Sequence, residues 1–382
     1  MVDITASVPR KLKLAFVGGA WDSAVGRTHR VAVEMDQRFE LVAGCFSRHA
    51  EANRATAEKY RVAPERTHAS LDELLTKEKG RVDALLILTP TDQHAGHLAQ
   101  CFASGIPVIC EKALVTSLEE ADAVHSALAE QGFLAVTYNY TGYPMLREIK
   151  RMVAQGRFGR IEQVHLEMPQ EGFARTGQDG RPLVPQSWRL HDHRVPTISL
   201  DLGVHLHSIM HFLTGEQPEE VVALSNTYGN FEQIVDDVSC IARYSNGIAC
   251  NLWYSKTALG YRNGLKLRIF GDKGSAEWVQ EQPEIIYMAD NRGNRMIVDR
   301  ASSDIQVANQ PRYTRFKAGH PAGFIEAFAN YYYDVADVLL AHLDGQPSDN
   351  EYVFGIREAR QGIQMLEAIA ASSRHRCWTP VA

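Results

Sequence analysis

The segment from Lys11 to Arg38 constrains the possible folds of this chain more than any other. An apolar, strand-like stretch, 11–17, ends at Gly18-Gly19-Ala20, and apolar residues at helical spacing follow over 26–38. A strand that enters a helix through a glycine-rich turn exposes backbone N–H groups to which a phosphate can bind. The segment therefore predicts the first strand and helix of a nucleotide-binding sheet.

Strand-like and helix-like stretches alternate from there to about residue 140. Leu85-Leu86-Ile87-Leu88 is a continuous apolar run, as expected for a strand that helices cover on both faces. The other expected elements are strands at 39–46, 107–110 and 133–137, and helices after residue 46, at 94–103 and at 117–130. Such alternation predicts a parallel, doubly wound sheet. We expect residues 1–140 to form an α/β, Rossmann-type dinucleotide-binding domain.

The pattern changes after Gly159. Strand-like stretches follow one another with short turns, at 160–168, 219–228, 237–245, 248–255, 264–270 and 275–279. Residues 171–187 resemble an irregular loop, and two long helices are expected at 321–343 and 351–372. We expect residues 141–382 to form an α+β domain with a mostly antiparallel, open-faced sheet that binds the substrate.

The strands of that sheet also predict an oligomer. In the stretches 239–245 and 249–255, both alternating sets of side chains contain apolar or aromatic groups, Trp253 among them. A sheet that is apolar on both faces usually has protein packed against each face, which shields it from water. We therefore expect a homo-oligomer that associates through this sheet.

Composition and charge restrict the kinds of partner and the cellular location that we expect for this chain. At 382 residues and 45% hydrophobic content, the chain is long enough for two domains. The formal net charge of −6 is spread along the chain, which argues against nucleic acid or an anionic membrane as a partner. The six cysteines form no C-x-x-C pair, and neither residues 1–11 nor any later run has the pattern of a leader or a membrane span. We expect a cytoplasmic protein.

The glycine-rich turn departs from the usual dinucleotide fingerprint. Gly18, Gly19 and Gly26 suit the roles of close backbone approach and helix entry, but Ala20 stands where the second consensus glycine would be. Five residues, 21–25, occupy the place of the usual two. Within that insertion, the Ser23 hydroxyl is a candidate phosphate contact.

The end of the second strand bears on the choice between NAD and NADP. An acidic residue at this point would bind the ribose 2′-hydroxyl of NAD, but the chain has Ser47-Arg48. The missing acid and the arginine favour NADP slightly. Arg48 could equally be an exposed residue at the start of a helix, or stack on the adenine.

Lys112, Asp201 and His205 are the candidate catalytic residues. Oxidation of a hydroxyl needs a base for its proton and positive charge beside the developing alkoxide. Lys112 lies just past an expected parallel strand, at the edge where ligands bind in such sheets. Asp201 and His205 are four residues apart, which places them on one face if the segment is helical. A solvated lysine and a helical salt pair would give the same pattern, so spacing alone leaves both interpretations open.

Several separated motifs together resemble the Gfo/Idh/MocA oxidoreductases, a family named for glucose–fructose oxidoreductase, inositol dehydrogenase and a rhizopine catabolism protein. The resemblance covers nearly the whole chain. Its motifs are the Gly18 turn with Gly26-Arg-Thr-His29, Thr89-Pro90-Thr91 with His94, Glu111-Lys112, Asp201-x-Gly203-x-His205, and 270–275.

The resemblance implies a role for each candidate. Lys112 orients the hydroxyl and tunes proton transfer, His205 is the acid/base, and Asp201 holds and polarises the substrate. It also implies cofactor contacts in the segments around the later strand ends, at Thr89, Pro90, His94 and Glu111. Two positions depart from the family pattern: Ala113 replaces the proline of the usual E-K-P, and Ser208 replaces a common acid.

The same resemblance implies a sugar or cyclic polyol as the substrate, and the segment 139–144 resembles a branch that includes levoglucosan dehydrogenases. Polar and aromatic side chains that suit a polyhydroxylated ring are Asn139, Tyr143, Gln170, Trp188 and Arg189. Each also has an ordinary structural explanation. Trp188 and Tyr143 could be core aromatics, and Asn139 could form a turn.

Two other functions deserve comparison with a dehydrogenase. Histidines at 191, 193, 205, 207 and 211 suggest a metal site, but no cysteine lies near them and hydride transfer to nicotinamide needs no metal, so we expect none. A regulator that binds nucleotide and sugar without turnover could have the same fold. The presence of both Lys112 and His205 argues against that alternative.

Overall fold

A computed structural model describes residues 10–130, 132–348 and 350–382. Residues 1–9, which form most of the segment examined for a leader, lie outside the described residues. The chain forms two compact units. The first comprises the residues up to Val115, Glu119–Gly142 and Phe324–Arg360; the second comprises Thr116–Leu118, Tyr143–Gly323 and Gln361–Ala382.

The first unit is built on a parallel five-stranded sheet with the strand order β2-β1-β3-β4-β5. Every residue of β3 is buried, because helices cover both faces of a doubly wound sheet. The predicted α/β class is confirmed. In chain order the elements are β1 (Leu12–Gly18), α1 (Ala24–Met35), β2 (Phe39–Cys45), α2 (Ala50–Tyr60), α3 (Leu71–Glu78), β3 (Ala84–Leu88), α4 (His94–Ser104), β4 (Val108–Cys110), α5 (Leu118–Ala127) and β5 (Leu134–Val136).

A late helix, α8 (Phe324–Leu343), completes the core of this first unit. Its buried residues Phe328, Tyr332 and Val335 recur at helical spacing and pack in one apolar cluster with residues of β1 and α1. The predicted boundary at residue 140 assigned this helix to the second domain. The structure corrects that assignment, because helical periodicity shows that a face is buried but not which sheet buries it.

The second unit contains a nine-stranded sheet with the order β13-β12-β11-β10-β6-β9-β8-β7-β14. Only β6 and β9 pair in parallel, so the expected mostly antiparallel sheet is confirmed. Its strands are β6 (Ile161–Pro169), β7 (Pro218–Asn226), β8 (Asp237–Tyr244), β9 (Ala249–Ser255), β10 (Lys266–Gly271), β11 (Gly274–Val279), β12 (Ile285–Asp290), β13 (Arg295–Asp299) and β14 (Thr379–Pro380). Strands β12, β13 and β14 were not predicted from the sequence.

Helices cover one face of this sheet, and the other face is open. The remaining helices are α6 (Pro144–Ala154), α7 (Val204–Thr214) and α9 (Ile356–His375). On the covered face of β8, the buried hydroxyl of Tyr244 reaches Met365 of α9. On the open face, Ile241 is 46% exposed and Leu224 is 58% exposed. The open face also includes polar side chains such as Ser239 and Arg243.

The first unit yields a stability test at Gly142, which ends the turn after β5. A Cβ on Gly142 would overlap the backbone carbonyl of Ala327 in α8, and neither backbone can move aside easily. The buried amide of Asn330 also donates to the Gly142 carbonyl at 2.9 Å. Gly142→Ala should therefore lower the free energy of unfolding in urea by about 1–3 kcal/mol, as overpacking does.

Gly96 is the matched control, because it lies inside α4 and a Cβ there would meet nothing within 4 Å. Gly96→Ala should raise the unfolding free energy by up to about 1 kcal/mol, since alanine favours the helix. Equal effects of the two substitutions would contradict the close approach of the Gly142 turn to α8.

Candidate active site

The glycine-rich turn between β1 and α1 has the shape that a dinucleotide phosphate requires. Gly18 and Gly19 have φ angles of 82° and 72°, a left-handed conformation that glycine adopts readily. A Cβ on Gly26 would overlap the Gly19 carbonyl. The turn is therefore a cradle that side chains would fill, and it opens onto the N-terminus of a 12-residue helix.

The insertion that distinguishes this turn folds compactly. Ser23 is the N-cap of α1 and accepts a hydrogen bond from Gly26 N–H at 3.3 Å, while its own N–H donates to the Ala20 carbonyl at 2.8 Å. From α2, the buried Tyr60 hydroxyl donates to the Gly19 carbonyl at 3.0 Å. Residues 21–25 thus extend the turn without displacing the glycines. The residues present fit a dinucleotide.

The end of β2 is held by Asn53, which the sequence analysis did not single out. The buried Asn53 side-chain oxygen accepts hydrogen bonds from the Phe46 and Ser47 N–H groups at 2.8 and 3.3 Å. The Ser47 hydroxyl accepts from His49 N–H at 3.2 Å, and Arg48 is exposed. Both predicted cofactor residues therefore lie on a fixed backbone, with the arginine side chain in solvent.

His94 lies inside the first unit. Its Nε2 is 2.8 Å from the Thr89 carbonyl, and its Nδ1 is 3.0 Å from the Ala113 carbonyl. Burial is the largest influence on its pKa and lowers it below the ordinary histidine value. The His94 ring thus connects the Thr89-Pro90 turn to the backbone just after Lys112. In that turn, Thr89 is half-buried and Pro90 is exposed. A direct cofactor contact from His94 was expected; the fully buried ring supports the turn instead.

Glu111 is likewise buried, at 9% exposure, and its carboxylate is shared by two partners of the first unit. His29 Nε2 lies 3.1 Å from Oε1, and the Thr137 hydroxyl donates to the same oxygen. The other ring nitrogen of His29 contacts the Tyr332 hydroxyl. Burial alone would raise the pKa of Glu111, but the His29 hydrogen bond and the charges of His29 and Lys112 lower it overall. The ionised Glu111 side chain therefore anchors the backbone that carries half-buried Lys112.

Asn139 follows β5 in a short helical turn and is 2% exposed. Its side-chain Nδ2 has no hydrogen-bond partner among the described residues. Such a donor is costly unless a ligand or water accepts its proton. Of the predicted substrate residues, Asn139 is therefore the one whose own environment indicates a ligand.

Asp201 and His205 lie in the second unit, on a helix that changes form between them. Ser199–Gly203 is a π-helical turn, and α7 begins at Val204. The segment is helical, as that interpretation requires, but a π turn replaces regular α-helix at Asp201. Such turns occur frequently at functional sites. The His205 side chain is buried, at 5% exposure.

Two cations pair with the Asp201 carboxylate. Lys256 Nζ lies 2.7 Å from Oδ2, and the Arg189 guanidinium contacts the same oxygen. The Arg189 guanidinium also lies 4.4 Å from the centre of the half-buried Trp188 ring. The structure therefore brings Asp201, Arg189 and Trp188 together as one cluster.

Lys256 was missed in the sequence analysis, although it carries a signal similar to that of Lys112, a lysine just past the end of a strand. Its side chain is 7% exposed, and its ammonium group donates to Gln170 Oε1 at 3.2 Å. Gln170, which was predicted to bind substrate, thus belongs to the same cluster. Tyr143 is 1% exposed and packs against Trp278, with ring centres 5.1 Å apart.

Two further observations concern metals and membranes. Across 10–130, 132–348 and 350–382, histidine, cysteine, aspartate and glutamate side chains form no group of three or more that could hold a metal ion. In the same ranges, no helix combines the length and the apolar character needed to cross a bilayer.

Comparison with known proteins yields a relative that matches almost the full chain. The chain is 27% identical over 379 residues to the uncharacterized oxidoreductase YfiI of Bacillus subtilis, with 96% of this chain and 95% of that protein covered. Among solved structures, an inositol dehydrogenase homologue from Azotobacter vinelandii, in complex with NADH and myo-inositol, superposes with a TM-score of 0.87 at 25% identity. That match covers 98% of each chain.

A levoglucosan dehydrogenase in complex with NADH and levoglucosan has the same fold. Its TM-score is 0.82 at 19% identity, with 97% of this chain and 99% of that chain covered.

Two family models match successive parts of the chain. The NAD-binding Rossmann-fold model of the oxidoreductase family matches residues 12–140, and the GFO/IDH/MocA C-terminal domain model matches residues 146–277. The resemblance seen in the sequence motifs is thereby confirmed. The chain belongs to the Gfo/Idh/MocA family of NAD-binding oxidoreductases.

Proposed function

We propose that this oxidoreductase reversibly converts a secondary hydroxyl of a sugar or cyclic polyol into a ketone. The observation that carries the proposal is the buried cluster at Asp201, one turn before the buried His205. A charged carboxylate and an imidazole, held among amide and guanidinium groups, suit a substrate with several hydroxyls. The myo-inositol and levoglucosan bound by the two structural relatives are of that chemical class.

The residues that would hold the cofactor lie in the first unit. Gly18, Gly19, Ala20, Ser23 and Gly26 would bind the pyrophosphate through the turn and the start of α1. Ser47 and Arg48 would contact the adenosine ribose, and the chain after β3, at Thr89 and Pro90, would border the nicotinamide. When bound, the dinucleotide supplies the ring that accepts a hydride from the carbinol carbon. His94 and Glu111 would act indirectly, by holding that segment and Lys112.

In the proposed reaction, His205 removes the proton from the substrate hydroxyl oxygen as the carbon–hydrogen bond breaks. The Lys112 ammonium group donates to the same oxygen and stabilises its developing negative charge. The Asp201 carboxylate accepts a hydrogen bond from the substrate and orients it, with Asn139, Tyr143, Gln170, Trp188 and Arg189 as further contacts. In the reverse direction, His205 returns the proton to the ketone oxygen.

The proposal predicts that Lys112→Ala and His205→Asn each lower turnover by about 10²-fold or more, since each removes a group that acts on the transferred proton. Turnover would be measured as nicotinamide reduction with a panel of myo-inositol, glucose and levoglucosan. Cofactor affinity, measured by NADH fluorescence, should change little.

Lys77→Ala is the matched control, because Lys77 lies on the surface of α3 in an ion pair with Glu73 and should be dispensable. Near-normal turnover in both active-site variants would contradict their assignment. If the unmodified chain binds the cofactor but turns over no member of the panel, a binding regulator would explain the fold better.

We also propose that the cofactor is NAD or NADP, with NADP slightly favoured, because the end of β2 offers an arginine and no acid. Ser47→Asp should then weaken NADP binding relative to NAD, through repulsion between the new carboxylate and the 2′-phosphate. Dissociation constants for both cofactors would be measured on both proteins by fluorescence titration. An unchanged ratio would show that this residue does not face the ribose.

The open face of the large sheet is the proposed site of self-association into a homodimer or homotetramer. Exposed Leu224 and Ile241 lie on this face. Half-buried Trp253 of β9 lies on it too, directly opposite Ser239 of β8. Two copies of one apolar patch can cover each other about a twofold axis.

Light scattering at micromolar concentration should therefore give a mass at least twice that of one chain. Trp253→Lys should lower it, because a charge would be buried in the interface. Leu343→Lys is the control, since Leu343 is 39% exposed at the end of α8 and belongs to the first unit. A monomer for the unmodified chain would refute the proposal.

A further inference from the structure

Lys256 and Gln170 leave the large sheet side by side. Strands β6 and β9 pair in parallel, with Pro169 opposite Ser255, and each of the two residues directly follows its strand. The Gln170 N–H donates to the Ser255 carbonyl at 2.7 Å. The Lys256 N–H donates to the Asp236 carbonyl, and its carbonyl accepts from Phe173 N–H, both at 2.8 Å. The sheet register therefore fixes where the lysine side chain begins.

From that point the ammonium group of Lys256 serves two partners. It lies 2.7 Å from the Asp201 carboxylate and donates to Gln170 Oε1 at 3.2 Å, while Phe173 lies beside it with its ring centre 5.3 Å from Nζ. With Arg189 on the same carboxylate, two positive charges oppose one negative charge in the cluster. At 7% exposure, the Lys256 side chain has little access to water.

A row of amide side chains continues from Gln170 along the same edge of the sheet. Gln170 Nε2 donates to Asn263 Oδ1 at 2.7 Å, and Asn263 Nδ2 donates to Gln280 Oε1 at 2.5 Å. Gln280 Nε2 then donates to the Tyr143 hydroxyl at 3.0 Å. Asn263 precedes β10 and Gln280 follows β11, so the ends of paired strands hold the row together.

Lys256, which donates to Gln170 at the start of this row, sets the direction of every hydrogen bond in it. An amide can present either its oxygen or its nitrogen, but an ammonium group has only donors. The Lys256 ammonium group therefore requires the oxygen of Gln170, which turns the Gln170 nitrogen toward Asn263. The Asn263 oxygen accepts that bond, so its nitrogen donates to Gln280, whose own nitrogen then donates to the Tyr143 hydroxyl. A glutamine or methionine in place of Lys256 would not impose that direction.

We propose that Lys256 is a positioning residue of the reaction, which orients Asp201 on one side and the Gln170–Asn263–Gln280–Tyr143 row on the other. This inference rests on the proposed function, because it concerns the same substrate. Two residues predicted to contact the substrate, Gln170 and Tyr143, and one assigned to its orientation, Asp201, receive their geometry from this single ammonium group. Lys256 itself acts through them.

The kinetic test compares Lys256→Met with Lys256→Arg, using whichever of myo-inositol, glucose and levoglucosan the unmodified chain turns over fastest. Lys256→Met should lower kcat/KM by about 10²-fold, the effect of misplacing a substrate by about 1 Å. The cofactor KM should stay unchanged. Lys256→Arg keeps an obligate donor and should recover activity to within about tenfold of the unmodified chain.

Lys266→Met is the matched control, since Lys266 of β10 forms a partly exposed ion pair with Glu277 of β11 in the same sheet. It should leave kcat/KM unchanged. If Lys256→Met does not fold, Lys256→Gln replaces it, because glutamine fills similar space but can point either way. Unchanged kcat/KM in the folded variant would overturn the proposal, as would an arginine variant no more active than the methionine one.

A double-mutant cycle tests the row itself and does not depend on turnover. Lys256→Met and Asn263→Ala should be coupled, because the lysine sets the direction of the amide that Asn263 receives through Gln170. Their effects on kcat/KM, or on the unfolding equilibrium constant in urea, should differ from additivity by about fivefold or more. If no polyol is turned over, the proposed function fails, and coupling in urea still supports the positioning role. Additive effects in urea would overturn it.

Discussion

The pairing of Asp201 with Lys256 is the interaction on which the candidate site of the second unit depends. An ionised carboxylate at 11% exposure is stable only with compensating charge, and removal of one partner from such a pair typically costs about 3–5 kcal/mol. Arg189 supplies a second cation from the short 3-10 helix Ser187–Leu190, whereas Lys256 is fixed by the pairing of β6 with β9. The sheet register thereby sets the position of a carboxylate on a neighbouring helix, and the π turn at Ser199–Gly203 carries that carboxylate.

In the first unit, the buried carboxylate of Glu111 likewise depends on partners that compensate for its burial. Its buried carboxylate is held by His29 from α1 and by Thr137 after β5, and Tyr332 of α8 completes the row behind His29. Helix α8 therefore contributes a hydroxyl to the support of Lys112 as well as apolar area to the core. In the first unit, Lys112 is proposed to act on the substrate and different side chains hold it in place. In the second unit, Lys256 is proposed to act only by positioning Asp201, whereas Arg189 pairs with Asp201 and is also a proposed substrate contact. Substitutions behind the site should consequently affect catalysis without removing any group that touches the substrate.

Much of this arrangement could be predicted from the sequence, because the relevant signals are local. The apolar run of β3, the glycines before α1 and the lysine after β4 each report a short-range constraint, and the structure places them as expected. Lys256 escaped notice because a lysine after a strand is commonly solvated, and only the register of β6 with β9 buries it. Helix α8 was assigned to the second domain for a related reason, because helical periodicity does not show which sheet a helix packs against. Strand β13 was missed because Arg295–Asp299 alternates between half-buried and exposed side chains and has no apolar run.

The central claim is that the chain transfers a hydride between a carbinol carbon and a nicotinamide ring. The most direct test supplies the unmodified protein and oxidised cofactor with a polyol deuterated at its secondary carbinol carbons. Mass spectrometry of the reduced cofactor should show one deuterium per molecule, together with an equimolar ketone product. Reduced cofactor without deuterium, or no reduction with any sugar or cyclic polyol at concentrations that saturate binding, would contradict the account.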